Sequence, residues 1–352
     1  MNALAQKLAA QIAANGPITL ADFMAACLFD PTHGYYTTRE PFGAGGDFVT
    51  APEISQMFGE MLGLALAQSW LDQGAPAPVT LAELGPGRGT LMADILRATR
   101  GVPGFHDAVQ VHLVEASPRL RALQADAVPQ ARFADTLADL PDAPLLLVAN
   151  EFFDALPIRQ FTRAGDGWAE TLVGVAEGAL HLGRSAAAPR AFLTARLADT
   201  AEGDVIEHCP GLPTMIAEID ARIADRGGAA LIVDYGDWVS QGDTFQAMRQ
   251  HKLTDVLADP GQADLTAHVD FSAIAGAVSR SHHSRLTPQG VFLERLGITA
   301  RAQALAAQMQ GAALDEHIAA HRRLTHPGEM GDLFKVMGLW PHGAAPIPGL
   351  NA

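Results

Sequence analysis

An α/β fold built around a mostly parallel sheet is what this 352-residue sequence predicts, on three observations. Strand-like and helix-like segments alternate from Val79 onward, as they do where parallel strands are joined by crossover helices. The apolar run Val79–Leu84 passes directly into Gly85-Pro-Gly-Arg-Gly89 and then into a helix. Acids and amides recur where strands end: Glu115, Asn150 with Glu151, and Asp234, with Glu83 inside the first strand.

Residues 1–78 read as a helical N-terminal cap. Met1–Gly16 is an amphipathic helix stopped by glycine, and a long helix runs from Pro52 to about Gln73, its proline suited to a first turn. Between them the glycine-rich stretch Phe42–Glu53 reads as a lid loop, with Asp47, Phe48 and Thr50 as its contact groups. The main domain, 79–352, opens with strand 79–85, helix 90–100, strand 109–115, helix 118–127, a short strand near Arg132 and strand 144–151. Ile158–Arg184 then alternates in polarity around Gly-Asp-Gly and Glu-Gly turns, an antiparallel excursion within an insertion of about 157–226. Helices at 188–198 and 212–226 lead back to a buried strand at Gly228–Gly236. Gly290–Glu294 and Leu333–Met337 read as short strands around a helical stretch from about Ala300 to His321, and Asp270 as the N-cap of a helix at Phe271–Val278.

The chain can bury a large core: 48% of its residues are hydrophobic and 18% charged. A net charge of −15 disfavours nucleic acid and anionic membranes as partners and favours a basic substrate region. No apolar run approaches the ~20 residues of a membrane span. Cys27 and Cys209 form neither a disulfide framework nor a C-x-x-C pair, and no histidine spacing implies a metal. Reduced cysteines without a leader-like start point to a cytoplasmic protein.

Gly85, Gly87 and Gly89 allow the sharp turn and close backbone approach that a ligand at the carboxyl end of a strand requires, next to the positive end of a helix. A dinucleotide fingerprint needs G-x-G-x-x-G, but here the third glycine comes one residue early. Glu115, placed to accept hydrogen bonds from a ribose diol, follows Gly87 by 28 positions, against about 20 in the nicotinamide pattern. An adenosine cofactor without a pyrophosphate fits better, and S-adenosylmethionine is the commonest. A tight turn without a ligand is the alternative reading.

Asn150-Glu-Phe-Phe-Asp-Ala-Leu-Pro-Ile-Arg-Gln-Phe161 is the candidate catalytic loop. Asn150 and Glu151 could hold an acceptor nitrogen while Phe152 and Phe153 exclude water; Asp154 lies in the same loop. Alternatively the phenylalanines are core and Glu151 is a cap. In Asp264-Leu-Thr-Ala-His-Val-Asp-Phe271, His268 could contact an acceptor, hold a loop shut or be structural.

Taken together, Gly46–Glu60, Glu83–Thr90, Asn150–Pro157 and Asp264–Phe271 resemble the bacterial and mitochondrial class I methyltransferases related to the mitochondrial complex I assembly factor. The resemblance spans most of the chain. It implies a Rossmann-like, seven-stranded sheet with a helical cap and an inserted lobe, binding S-adenosylmethionine. It places cofactor contacts on Asp47, Phe48, Thr50, Glu83, Gly85, Pro86, Gly87, Gly89 and Glu115, and acceptor contacts on Asn150 and Glu151. It implies protein arginine methylation, with a respiratory complex I subunit as the acceptor class, and leaves a homodimer open. A non-catalytic cofactor-binding assembly factor and a nicotinamide-dependent oxidoreductase are the alternatives.

Overall fold

The structure, a computed structural model, describes residues 1–38 and 49–351. It divides into two compact units, one formed by Val49–Phe153, Pro213–Trp238 and Phe271–Ala352, the other by Met1–Phe48, Asp154–Leu212 and Val239–Asp270.

The first unit holds the large sheet. Its strands are β1 (Val79–Leu84), β2 (Val109–Val114), β3 (Arg132–Ala134), β4 (Leu145–Asn150), β5 (Gly228–Asp237), β6 (His282–His283) and β7 (Phe334–Trp340), in the order β3-β2-β1-β4-β5-β7-β6. β1 to β5 are parallel; β7 runs antiparallel to β5 and also pairs with Thr287–Pro288. Every residue of β1 and β4 is buried, which is why both strands read as nearly unbroken apolar runs. The register sets Leu84 against Val114 and Ala149, and Asn150 against Val233. The carboxyl ends of β1, β2, β4 and β5 therefore share one edge.

Helices α1 (Gln56–Asp72), α2 (Thr90–Ala98), α3 (Pro118–Ala127), α4 (Leu212–Arg226) and α5 (Ala312–Thr325) belong to this unit but for the first residue of α4. Gly63 lets α1 approach α2 closely, since a Cβ there would come 2.9 Å from the Ile95 Cα. Met57, Phe58, Leu62 and Leu66 of α1 join Leu81, Leu146 and Leu231 of the sheet in one core. Burial of that face, at about 25 cal/mol per Å² of apolar surface, holds the helix in place.

In the other unit, Ile18–Thr19, Gly167–Ala176, Arg159–Ala164 and Val205–His208 form an antiparallel sheet, with Ala179–Arg184 paired to the outer half of Gly167–Ala176. The expected turns are present: Gly165, Glu177 and Gly178 all have positive φ. Helices Ala3–Asn15 and Leu20–Phe29 pack Leu4, Leu8, Phe23 and Met24 into this unit's core.

Several elements differ from expectation. The helix begun at Pro52 is interrupted at Ser55, whose extended backbone ends Ala51–Ile54 and whose hydroxyl caps α1. Residues 188–198 form two short 3₁₀ turns, because only Leu193 there is buried and a small apolar face cannot support a helix. The run at 290–294 lies in a helix, Gln289–Arg295; a short apolar run has no period that separates helix from strand. The helical stretch at 300–321 is two helices, Ile298–Ala306 and α5, parted at Gly311. The hairpin Gln246–Arg249/Lys252–Thr254 and its neighbour Asp264–Thr266 carry no local signal that sets them apart from loop.

Candidate active site

β1 makes its last rung when Gly85 N donates to Val114 O at 3.1 Å, and the chain then turns through Gly85, Gly87 and Gly89 with φ of 59°, 54° and 84°. Left-handed backbone at three alternate positions is why glycine is needed. Pro86 is buried beneath the turn while Gly85 is exposed, and Gly89 N donates to Pro86 O at 2.7 Å before α2 begins. The ring of Phe152 packs against this turn: a Cβ on Gly85 would lie 2.8 Å from its Cδ2. Thr90 Oγ1, in the first turn of α2, donates to Glu53 Oε1 at 2.5 Å.

Two acids serve the turn. Glu115 follows β2; its Oε1 accepts from Ser117 N at 2.7 Å and its Oε2 from Gln124 Nε2 at 3.2 Å. Burial pushes its carboxyl up, against the pull of those hydrogen bonds. Glu83 is enclosed within β1, where burial pushes it up to about 8 despite one backbone N–H from Met92. Its Oε2 has no hydrogen-bond partner.

The loop after β4 is built by long-range contacts. Glu151, a non-glycine residue at φ 51°, donates its N–H to Val233 O at 2.9 Å. Its Oε1 accepts from Ala51 N and Asn150 Nδ2, each at 3.2 Å, while Asn150 Oδ1 is buried without a hydrogen-bond partner. The next two N–H groups, of Phe152 and Phe153, converge on Asp234 Oδ2 at 3.2 and 2.9 Å. Asp234 is fully buried, and its Oδ1 also accepts from Tyr235 N. A left-handed residue of this kind persists only where its surroundings over-determine it, and Asp234 supplies that constraint. Thr50, next to Ala51, accepts from Glu53 N and Ile54 N through its carbonyl.

The first unit thus brings together Thr50, Glu83, Gly85, Pro86, Gly87, Gly89, Glu115, Asn150 and Glu151 along the edge formed by β1, β2 and β4. Asp154 and His268 belong to the other unit. There the Asp154 carbonyl accepts from Ala267 N at 3.0 Å, and His268 N donates to Thr244 Oγ1 at 2.8 Å. Tyr36 OH donates to Asp264 at 2.9 Å, and burial first, then the charges of Asp264 and Asp154, raise its phenol well above the ordinary range. Asp47 and Phe48, and with them most of the expected lid, lie outside the described residues. Gln124 is the support of this edge that the sequence reading missed. Asp234 was visible as an acid ending a buried strand; Gln124 left no signal beyond its place in a helix.

The donor set of the first unit fits S-adenosylmethionine. Glu115 keeps acceptor capacity for a diol, the Glu83 side chain carries a buried acceptor without a partner, and an acceptor-rich rim suits an amine and a sulfonium cation.

The family model described as "Putative S-adenosyl-L-methionine-dependent methyltransferase" matches residues 61–290. A Xenopus laevis protein named "Protein arginine methyltransferase NDUFAF7, mitochondrial" is 36% identical over 97% of this chain and 85% of its own length. The Homo sapiens protein of the same name is 36% identical over 94% of this chain and 82% of its own length. A likely methyl transferase of the COG1565 superfamily from Burkholderia thailandensis, solved bound to S-adenosyl-homocysteine, superposes with a TM-score of 0.83 at 31% identity, covering 99% of this chain and 94% of that one. The mitochondrial names overturn the cytoplasmic assignment. Reduced cysteines constrain the redox state of a compartment and not which compartment it is. Among the described residues no helix is long and apolar enough to cross a membrane.

Proposed function

The chain belongs to the family of S-adenosyl-L-methionine-dependent methyltransferases, and on that premise we propose that its acceptor is an arginine side chain of a protein. The observation that carries the reading is the Glu151 turn, in which a carboxylate and the unpartnered Asn150 Oδ1 stand side by side at the end of β4. A guanidinium is planar, offers five N–H donors and stays protonated at any physiological pH, so it calls for paired acceptors that orient it and, because the incoming methyl group replaces one N–H, for a carboxylate beside it to take up the departing proton. Glu151 and Asn150 would accept from two of its N–H groups and fix the orientation of the third nitrogen. The Glu151 charge would balance the cation in a site from which the Phe152 and Phe153 rings, packed edge to face at 5.3 Å, exclude water. When bound, S-adenosylmethionine supplies an electrophilic methyl group. Thr50 enters the same proposal as a cofactor contact. The names of the curated relatives support arginine as the acceptor.

The test is transfer of radiolabelled methyl groups from the cofactor into a lysate lacking this protein, followed by hydrolysis of the labelled band. Methylarginine in one protein is expected; label on another amino acid overturns the acceptor. Glu151→Gln should bind S-adenosylhomocysteine with unchanged affinity and transfer methyl groups at least about 100-fold more slowly. Undiminished transfer would remove Glu151 from the chemistry. A respiratory complex I subunit as that protein, and a homodimeric state, extend the proposal on the resemblance; the identity of the labelled band and the mass in solution test each.

A further inference from the structure

The glycine turn and Glu115 come from different strands, yet one side chain holds both. Gln124, on the second turn of α3 and fully buried, donates from Nε2 to the Gly87 carbonyl at 2.8 Å and to Glu115 Oε2 at 3.2 Å. Its Oε1 is buried with no hydrogen-bond partner. That arrangement fixes the amide's orientation, because the flipped amide would turn an acceptor oxygen onto two other acceptors. The N-cap of the same helix holds the other oxygen of Glu115 through Ser117 N, and Arg121 Nε donates to the Glu115 carbonyl at 2.6 Å. Gly89 completes the seat, since a Cβ there would come 3.5 Å from the Gln124 Cα and 3.3 Å from the Ala127 Cβ.

We propose that Gln124 is a specificity-determining positioning residue for the cofactor: its amide ties the glycine turn to Glu115 and so sets the span between the part of the site that takes the amino-acid end and the part that takes the ribose diol. An apolar residue of similar volume would fill the same space without an orphaned oxygen. The glutamine is therefore explained by what its Nε2 joins rather than by packing. Held by Gln124 and Ser117 N, Glu115 presents its remaining acceptor capacity in a fixed direction. The inference rests on reading Glu115 as the ribose acid.

Calorimetric titration of the full chain with S-adenosylhomocysteine and with its 2′-deoxy analogue separates the two ideas. The unaltered protein should prefer the ribose form about tenfold. Gln124→Met should weaken S-adenosylhomocysteine about tenfold and shrink that preference to about twofold or less, with an unfolding midpoint close to that of the unaltered chain. Gln124→Asn, too short to reach both acceptors, should do the same and serves if the methionine variant fails to fold. Gln124→Glu adds a second carboxylate beside Glu115, so its affinity should recover as pH falls and the pair takes up a proton. Either neutral variant with affinity within twofold of the original, or with both ligands weakened equally, overturns the role of Gln124. If instead Glu115→Gln leaves the ribose preference intact, the reading of Glu115 fails, whatever Gln124 does.

Discussion

The two halves of the site edge are built in opposite ways. Around the glycine turn, most of the supporting groups lie within about forty positions of one another: Gly85, Gly89, Glu115, Ser117 and Gln124 all fall between β1 and the end of α3. Around Glu151, the supports come from far along the chain: Ala51 from one hundred positions before, and Val233 and Asp234 from about eighty after. The cofactor side is thus shaped by a contiguous strand-turn-helix-strand unit, while the acceptor side exists only when three separate segments meet. Local construction tolerates change in the rest of the molecule; long-range construction couples the acceptor loop to the integrity of the sheet.

Asp234→Ala gives the sharpest break. It strips the shared acceptor from the part-buried Phe152 N–H, the buried Phe153 N–H and Tyr235 N, so stability should fall by about 3–5 kcal/mol. Urea unfolding measures this, and a loss under 1 kcal/mol would mean the Glu151 turn holds itself. Gly85→Ala attacks the local half. It combines a left-handed residue with a Cβ that would collide with Phe152, and should weaken S-adenosylhomocysteine at least tenfold by calorimetry while costing about 1–2 kcal/mol of stability.

Glu83 supplies a pH test of the same half. Its folded carboxyl, pushed up to about 8, lies above the unfolded value of about 4.3, so the folded chain binds the extra proton between those limits. Its contribution is fully present below about pH 4 and is lost as pH rises through about 8. Glu83→Gln should flatten the decline in stability across that window, an effect of a few kcal/mol at most, read from unfolding midpoints at pH 6 and pH 9. Equal slopes in the two proteins would show that water or a partner already solvates Glu83. Ser117→Ala should have the smallest effect. The hydroxyl caps α3 only through a 3.5 Å contact to Leu120 N, so about 0.5–1 kcal/mol is expected, with cofactor affinity within twofold because the Ser117 N–H that holds Glu115 remains. A larger affinity loss would assign the seat of Glu115 to the cap rather than to the backbone and Gln124.

What could be read in advance follows the same division. β1, β2, β4, β5, α3 and α4 were legible because apolar runs, their alternation with helical periods and glycine at a strand end are local signals with local causes. The break at Ser55, the helix over Gln289–Arg295 and the hairpin at 246–254 were not, since each depends on what the segment packs against.

Burial pattern and backbone permissiveness are properties of neighbouring residues, so the parallel α/β core, the strand-to-helix glycine turn, the acids at the strand ends and the kind of cofactor they suit follow from the order of amino acids. That Asp234 clamps Phe152 and Phe153, that Glu151 is held left-handed against Ala51 and Asn150, and that Gln124 joins Gly87 to Glu115 emerges from the folded arrangement alone. The physical reason is that a hydrogen bond between distant segments leaves no periodicity in the chain. It is specified by register and packing, which come into being only when the sheet has formed.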